Sequence, residues 1–327
     1  MNRMIINLWN RRIRNRTYGG VRGPQENFVN CFPAPYSILL HFPSIFIPIN
    51  RFHNMRIHRR KFLTGSAALA AGTAIGLRAG IPAGAGQPAP EQEQPSLEGR
   101  KILLTYGGWD GHEPLEAVEL FKPWMEGEGA KVEAFNSLEP YADATYMGGI
   151  DLVIQIFTMA EISKEQEQGL TEAVRKGAGI AGWHGGLCDS FRQSVAYQFM
   201  TGGQWVAHPG GVIDYSVRIT DPKDPVTRGL KKEFHMHSEQ YYMHVDPNMK
   251  VLATTTFTGK HADWIDGCTM PVVWKKMYGK GRVFYSSLGH VMKDFGVPEA
   301  LEIMKRGIRW SSASRYQEPE PWKNPVY

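Results

Sequence analysis

The sequence predicts one α/β domain with a mostly parallel sheet flanked by helices and extended by antiparallel strands. Three observations lead there. Strand-like and helix-like segments alternate from residue 100 to residue 183, the pattern of parallel strands joined by right-handed crossovers. Asp151–Phe157 (DLVIQIF) is nearly all apolar, as befits a strand covered on both faces. From residue 214 onward, strand-like segments crowd together without helices between them, which argues antiparallel pairing.

In order, Arg100–Tyr106 (RKILLTY) is a short apolar run ending at Gly107-Gly108, a buried strand entering a loop. Pro114 suits a first helical turn, and Leu115, Val118, Leu120, Phe121 and Trp124 follow at helical spacing. Lys131–Phe135 and Asp151–Phe157 are the second and third strands. Ser163 is placed to cap the polar helix Lys164–Lys176. Gly179–Trp183 is the fourth strand and runs into His184-Gly185-Gly186. Asp214–Thr220, Phe234–His244, Lys250–Thr256, Pro271–Tyr278 and Arg282–Ser287 are further strands, the last two joined by Gly279-Lys280-Gly281 as a hairpin turn. A helix over Val297–Ser311 closes the domain.

The 327 residues are 42% apolar and 21% charged, which excludes collagen-like, coiled-coil and wholly disordered chains. Three cysteines exclude a disulfide framework and a four-cysteine metal site. The net charge of +5 hints at nucleic acid until it is located. Residues 1–85 carry 12 Lys+Arg against one acid, Glu26, leaving 25 basic and 31 acidic residues in the remainder. The body is therefore mildly acidic, and no nucleic-acid partner is expected.

The basic end has its own logic. Residues 55–85 open with Arg56–Lys61, including the twin arginines Arg59 and Arg60. They continue through an Ala/Gly-rich apolar run and close at Ala83-Gly84-Ala85. That is the layout of a twin-arginine secretory signal cut after Ala85, so a periplasmic or secreted protein that uses the twin-arginine export machinery is expected. The alternative is an uncleaved signal kept as a membrane anchor. Residues 1–54 precede the signal and read as a mis-assigned start, with translation beginning at Met55. Residues 86–98 are Pro/Gln/Glu-rich and read as a linker, 99–314 as the domain, and 315–327 as a C-terminal tail.

Ligands of open α/β sheets bind beyond the carboxyl ends of the strands, and three polar clusters follow strand ends here. The first, Tyr106–Glu113, offers Gly107 and Gly108 for close backbone approach and His112 as a titratable group; the alternative is a plain glycine-rich loop. The second, Gly182–Cys188, sets Trp183 and His184 at a sharp strand-to-helix turn, the elbow geometry that exposes a side chain above a sheet. Cys188 reads as a buried structural thiol, with a Cys188–Cys268 disulfide as the option that export opens. The third is His235–His244. Alternation along a strand puts His235, His237, Glu239 and Tyr241 on one face. There His235, His237 and Glu239 have the donor chemistry for a single divalent metal such as zinc; the alternative is a hydrogen-bonded strand face. His290 follows the last strand, and His208 is a further polar candidate on a loop.

With these residues in hand, the body resembles the ThuA-like (trehalose utilisation) family, which has the class I glutamine amidotransferase-like fold, a flavodoxin-like three-layer architecture. The strings that carry the resemblance are GIAGWHGG, FMTGGQWVAHPG, DPVTRGL, HSEQYYMHV and PVVWKKMYGKGRVFYSSLGH. The resemblance implies disaccharide or keto-sugar utilisation. It implies a pocket of His184, Glu239, Tyr241 and His290, with Trp274 and the Gly107–His112 loop beside them. Where working amidotransferases carry a nucleophilic cysteine at the elbow, this chain has His184, so glutaminase chemistry is not expected. The expected activity is acid–base or metal-assisted chemistry on a small sugar. His184, Glu239 and His290 are its catalytic groups, and Gly107, Gly108, His112, Trp183, Tyr241 and Trp274 contact the sugar. The alternative is a non-catalytic sugar-binding or scaffolding protein on a retired enzyme fold.

Overall fold

A computed structural model describes residues 94–320; residues 1–93 and 321–327, and with them the start-site, signal and most of the linker expectations, lie outside the described residues. The chain runs β1 (Lys101–Gly108), α1 (Pro114–Gly127), β2 (Lys131–Phe135), α2 (Ala144–Gly148), β3 (Leu152–Thr158), α3 (Lys164–Lys176), β4 (Gly179–Trp183) and α4 (His184–Cys188). It continues α5 (Val195–Thr201), β5 (Gly203–Ala207), β6 (Val212–Ile219), β7 (Glu233–Glu239), β8 (Tyr242–Val245), β9 (Lys250–Thr256), β10 (Thr269–Tyr278), β11 (Gly281–Ser286) and α6 (Pro298–Ser312).

Nine strands form one sheet in the order β2-β1-β3-β4-β11-β10-β9-β6-β7, and β5 pairs with β8 in a small second sheet. The pairs from β2 to β11 are all parallel, and those from β11 to β7 all antiparallel. Both halves of the expected architecture are therefore present. Apolar strands carry the parallel half because both of their faces are covered: Ile102, Leu104, Ile154 and Ala181 pack into one cluster with α1 and α6, and Leu103, Val153 and Ile180 into another with α3. Local signals end the helices as the sequence foretells. Pro114 stands at the start of α1, and Ser163 and Gln166 form a reciprocal capping box on α3, a device worth about 1 kcal/mol.

The antiparallel half matters most for the site. β6 pairs with β9 only at Arg218–Thr254 and Ile219–Ala253, so over the rest of its length the β6–β7 hairpin leaves the sheet. Its apolar face, with Tyr215, Val217, Phe234 and Met236, packs in the cluster that holds Phe295, Ile303 and Met304. Ser238 Oγ on β7 donates to Asp294 Oδ2 at 2.5 Å. The end of β7 is thereby held close to the segment that follows β11, although the two strands are four positions apart in the sheet.

The expected single strand Phe234–His244 is two strands in two sheets, β7 and β8, broken at Gln240-Tyr241. A period-two pattern runs on through this break, so periodicity alone does not mark it. Cys188 and Cys268 are both free thiols, against the disulfide option. Leu97, inside the expected linker, is fully buried in the core. Among the described residues no helix is long and apolar enough to cross a membrane.

Candidate functional site

Four side chains from four strand ends meet at the carboxyl edge of the parallel sheet: His112 after β1, His184 after β4, Glu239 at the end of β7 and His290 after β11. One donor atom from each lies within 4.8 Å of all the others. His112, His184 and Glu239 are buried, and the His290 side chain is 14% exposed.

Each group is held from behind. His184 takes the elbow position with φ +48°, a left-handed conformation that costs a non-glycine residue energy and recurs at functional turns. Its Nδ1 lies 2.8 Å from Ser287 O. A carbonyl only accepts, so Nδ1 carries the proton, and Nε2 is the nitrogen that faces Glu239 Oε2 at 3.1 Å. A bare imidazole lone pair against a carboxylate is repulsive, so this contact needs a cation between the two atoms, either a proton or a metal. His112 Nδ1 is bonded to Thr158 Oγ1 at 2.9 Å, which turns its Nε2 inward. The Tyr241 ring covers His184 at a centroid distance of 3.9 Å. Asp294 Oδ2 accepts the backbone N–H of His290 at 3.0 Å and fixes the turn that carries it.

Beneath the elbow, Gln155 on β3 accepts from Tyr141 Oη and donates to Ser190 Oγ, while Tyr197 Oη donates to Leu187 O at 2.7 Å. This buried network ties α4 to the sheet. Gly185 is a glycine because α4 passes close over His112: a Cβ there would sit 2.4 Å from the His112 ring.

The electrostatics follow from this crowding. Burial, then the neighbouring His184 and His290, hold His112 down to about 3, so its ring is neutral. Burial acts to raise the Glu239 carboxyl, but the hydrogen bond from His184 and the charges of His184, His290 and His208 outweigh it and hold it down to about 2. His290 is also lowered, by burial and by His184, with Glu239 and Asp294 opposing. A carboxylate that stays ionised beside imidazoles that resist a charge is the donor chemistry of a cation site.

At the mouth, His208 Nε2 lies 3.7 Å from Glu239 Oε1, and its side chain is 36% exposed. Trp205 packs beside it at 5.6 Å between ring centroids, and the half-exposed Trp109 stands edge-on to His112 at 4.6 Å. Six buried side-chain polar atoms lack a hydrogen-bond partner among the described residues, and three of them line this one site: Trp205 Nε1, His208 Nδ1 and His290 Nδ1. Buried donors and acceptors are seldom left unpaired, so three such atoms around one cluster mark it as a place that takes a further partner.

A profile of the ThuA family, described as trehalose utilisation, matches residues 101–311. The chain belongs to this family. Two solved ThuA-like proteins share its fold: one from Bacteroides uniformis (TM-score 0.56, 17% identity, covering 69% of this chain and 95% of that one), and one from Parabacteroides merdae (TM-score 0.54, 17% identity, covering 70% and 95%). Among curated proteins, none matches in sequence.

In this ThuA-family chain the structure brings together His112, His184, Glu239, Tyr241 and His290 of the residues singled out from the sequence. It does not bring in His235 and His237. Both side chains point away from the core, where His235 Nδ1 meets Ser216 Oγ at 3.1 Å and His237 Nδ1 meets Asp214 Oδ1 at 2.8 Å. The expected metal face of His235, His237 and Glu239 is therefore corrected: β7 ends at Glu239, whose carboxylate turns in toward His184. Trp183 and Trp274 are corrected as well, being 1% and 0% exposed. Trp183 packs between Phe121 and Phe295, and Trp274 against Tyr285 with Nε1 donating to Thr201 O. Gly107 and Gly108 let β1 approach β3: a Cβ at Gly108 would lie 2.0 Å from Thr158 O.

Sequence reasoning gave no role of their own to Trp109, although it lies in the Gly107–His112 loop placed beside the pocket, or to Trp205 and His208, although FMTGGQWVAHPG contains both. Cys188 stays buried one turn past the elbow, with its thiol pushed well up by burial, so no thiolate replaces the missing nucleophile. A separate cleft of about 660 Å³ lies at the other end of β6, but its central charges pair with one another, Asp224 with Lys250 and Lys275.

Proposed function

We propose that this chain is a carbohydrate-utilisation enzyme that acts on a sugar or keto-sugar at the His112–His184–Glu239–His290 centre. The observation that carries the reading is the convergence of these groups with three unpartnered polar atoms, Trp205 Nε1, His208 Nδ1 and His290 Nδ1, at one sheet edge. A sugar is dense in hydroxyls that donate and accept, which is what such atoms require. Trp109 and Trp205 offer ring faces for stacking on a pyranose. His290, whose Nδ1 has no hydrogen-bond partner among the described residues, would meet a hydroxyl of the sugar. His208, partly in solvent, would pass a proton between the bound sugar and water. A proton next to a keto-sugar carbonyl is acidic, so isomerisation or elimination suits this set. Glutaminase chemistry has no nucleophile here.

The twin-arginine segment supports export to the periplasm or beyond, with the uncleaved anchor as the alternative; cell fractionation of the full chain separates them. The function is tested by incubating the protein from residue 86 with disaccharides and their keto derivatives, and following products by NMR alongside thermal stabilisation. Product formation supports the enzyme. Stabilisation by a sugar without product would replace it with the sugar-binding reading.

A further inference from the structure

We propose that His112, His184, Glu239 and His290 hold a single divalent transition-metal ion of the zinc class, with the side toward His208 left for water or a sugar oxygen. The inference uses the same cluster as the proposed function but does not depend on its substrate.

Four features of the geometry support it. The first is spacing. Zinc bonds of about 2.0–2.2 Å at tetrahedral angles set ligand atoms about 3.4 Å apart. Glu239 Oε2 lies 3.1 Å from His184 Nε2 and 3.4 Å from His290 Nδ1. The widest separation in the set is at most 4.8 Å, so binding needs a closure of about 1.4 Å or less.

The second is orientation. Metal-bound histidines donate their other ring nitrogen to an oxygen that fixes the tautomer. His184 donates Nδ1–H to Ser287 O, and His112 Nδ1 is bonded to Thr158 Oγ1. Each ring is thus fixed with Nε2 turned toward the others. The third is the His184–Glu239 contact itself, which leaves between Nε2 and Oε2 a position that a proton or a metal cation can fill. The fourth is His290 Nδ1, a buried nitrogen without a hydrogen-bond partner among the described residues that lies beside the same carboxylate oxygen.

Three imidazoles and one carboxylate suit zinc and its first-row neighbours rather than magnesium or calcium, which take all-oxygen sets. When bound, the ion would act as a Lewis acid on a sugar oxygen. The exposed pair His237–Asp214 is the internal control, being a histidine and a carboxylate at 2.8 Å without further donors.

The test is the metal content of the chain from residue 86, purified without chelator, followed by Zn²⁺ and Co²⁺ titration of the stripped protein. About one equivalent of metal is expected, with Co²⁺ giving visible d–d bands. Glu239→Gln and His184→Ala should lose the stoichiometric metal, and His237→Ala should keep it. Thr158→Val, which leaves every ligand in place, should weaken Zn²⁺ affinity by about 10–100-fold. Because Thr158→Val touches only the support of His112, it remains informative if a ligand variant fails to fold.

Less than about a tenth of an equivalent, with no Zn²⁺- or Co²⁺-dependent stabilisation of the wild type, would overturn the metal site. Sugar turnover that survives full removal of the metal would overturn its Lewis-acid role while leaving the proposed function standing. Tight metal binding without turnover of any sugar would do the reverse.

Discussion

One added methyl group at Gly185 tests the packing that builds the site. On propensity alone, Gly185→Ala in α4 should stabilise the chain by about 0.5–1 kcal/mol. The structure reverses that sign. The new Cβ would sit 2.4 Å from His112 Cε1, 2.7 Å from Nδ1 and 3.0 Å from Thr158 Cγ2. Ordinary contact begins near 3.4 Å, so the ring must retreat by about 1 Å and strain or lose its 2.9 Å bond to Thr158. Overpacking of this kind costs about 1–3 kcal/mol, and the bond about 1 more. The net expectation is a loss of about 1–3 kcal/mol in urea unfolding. A displacement of this size at a reacting group lowers turnover by about 100-fold. A Gly185→Ala protein more stable than the wild type, with an unchanged site, would refute the packing argument.

Other outcomes follow from the same structure. Asp224 is 3% exposed and neutralises the buried Lys275 at 2.6 Å. Asp224→Ala strands that ammonium and should cost about 3–5 kcal/mol at pH 7. The Asp224 carboxyl is held below its usual range because Lys275 and Lys250, with the Val226 N–H, outweigh the burial that acts to raise it. Its contribution is therefore full above the ordinary aspartate value and is lost as pH falls through the lower folded one. The gap between Asp224→Ala and wild type should accordingly narrow below about pH 4. Trp274→Ala should cost about 3–5 kcal/mol in stability, while Trp274→Phe leaves sugar affinity within twofold, a roughly neutral change on the scale of surface substitutions; a selective loss of sugar binding in Trp274→Phe would return this residue to the site. Cys188 should resist alkylation in the native state and react only on unfolding, which mass spectrometry of iodoacetamide-treated protein reads directly.

Much of this architecture is legible in the sequence because local signals carry it. The apolar run of β3, the capping box at Ser163 and the proline at Pro114 each act within a few residues. The elbow at His184 is legible too, from a strand that ends at Trp183 and two glycines that follow. The hidden part is tertiary. Glu239 reaches His184 across 55 positions because the β6–β7 hairpin leaves β9 after two residue pairs. No periodicity encodes that departure. The same alternation that places His235, His237 and Glu239 on one face holds along β7 but says nothing of a strand end that turns inward. Trp183 and Trp274 fail as ligand contacts for a related reason: a tryptophan beside a polar motif reads the same whether it lines a pocket or fills a core. α5 escapes notice because it is only seven residues long and its apolar Val195 and Phe199 are exposed, at 78% and 65%, which blurs the inward face of Tyr197, Met200 and Thr201.

The central claim is that His184 and Glu239 belong to one reaction centre for sugar chemistry. Its most direct measurement is NMR-monitored turnover of the best substrate from the disaccharide and keto-sugar panel by wild type, His184→Ala, Glu239→Gln and His237→Ala, each first shown to be folded by circular dichroism. The expected result is a loss of at least about 100-fold in both centre variants with His237→Ala unaffected. Undiminished turnover in His184→Ala and Glu239→Gln would contradict the account and move the chemistry elsewhere in the chain.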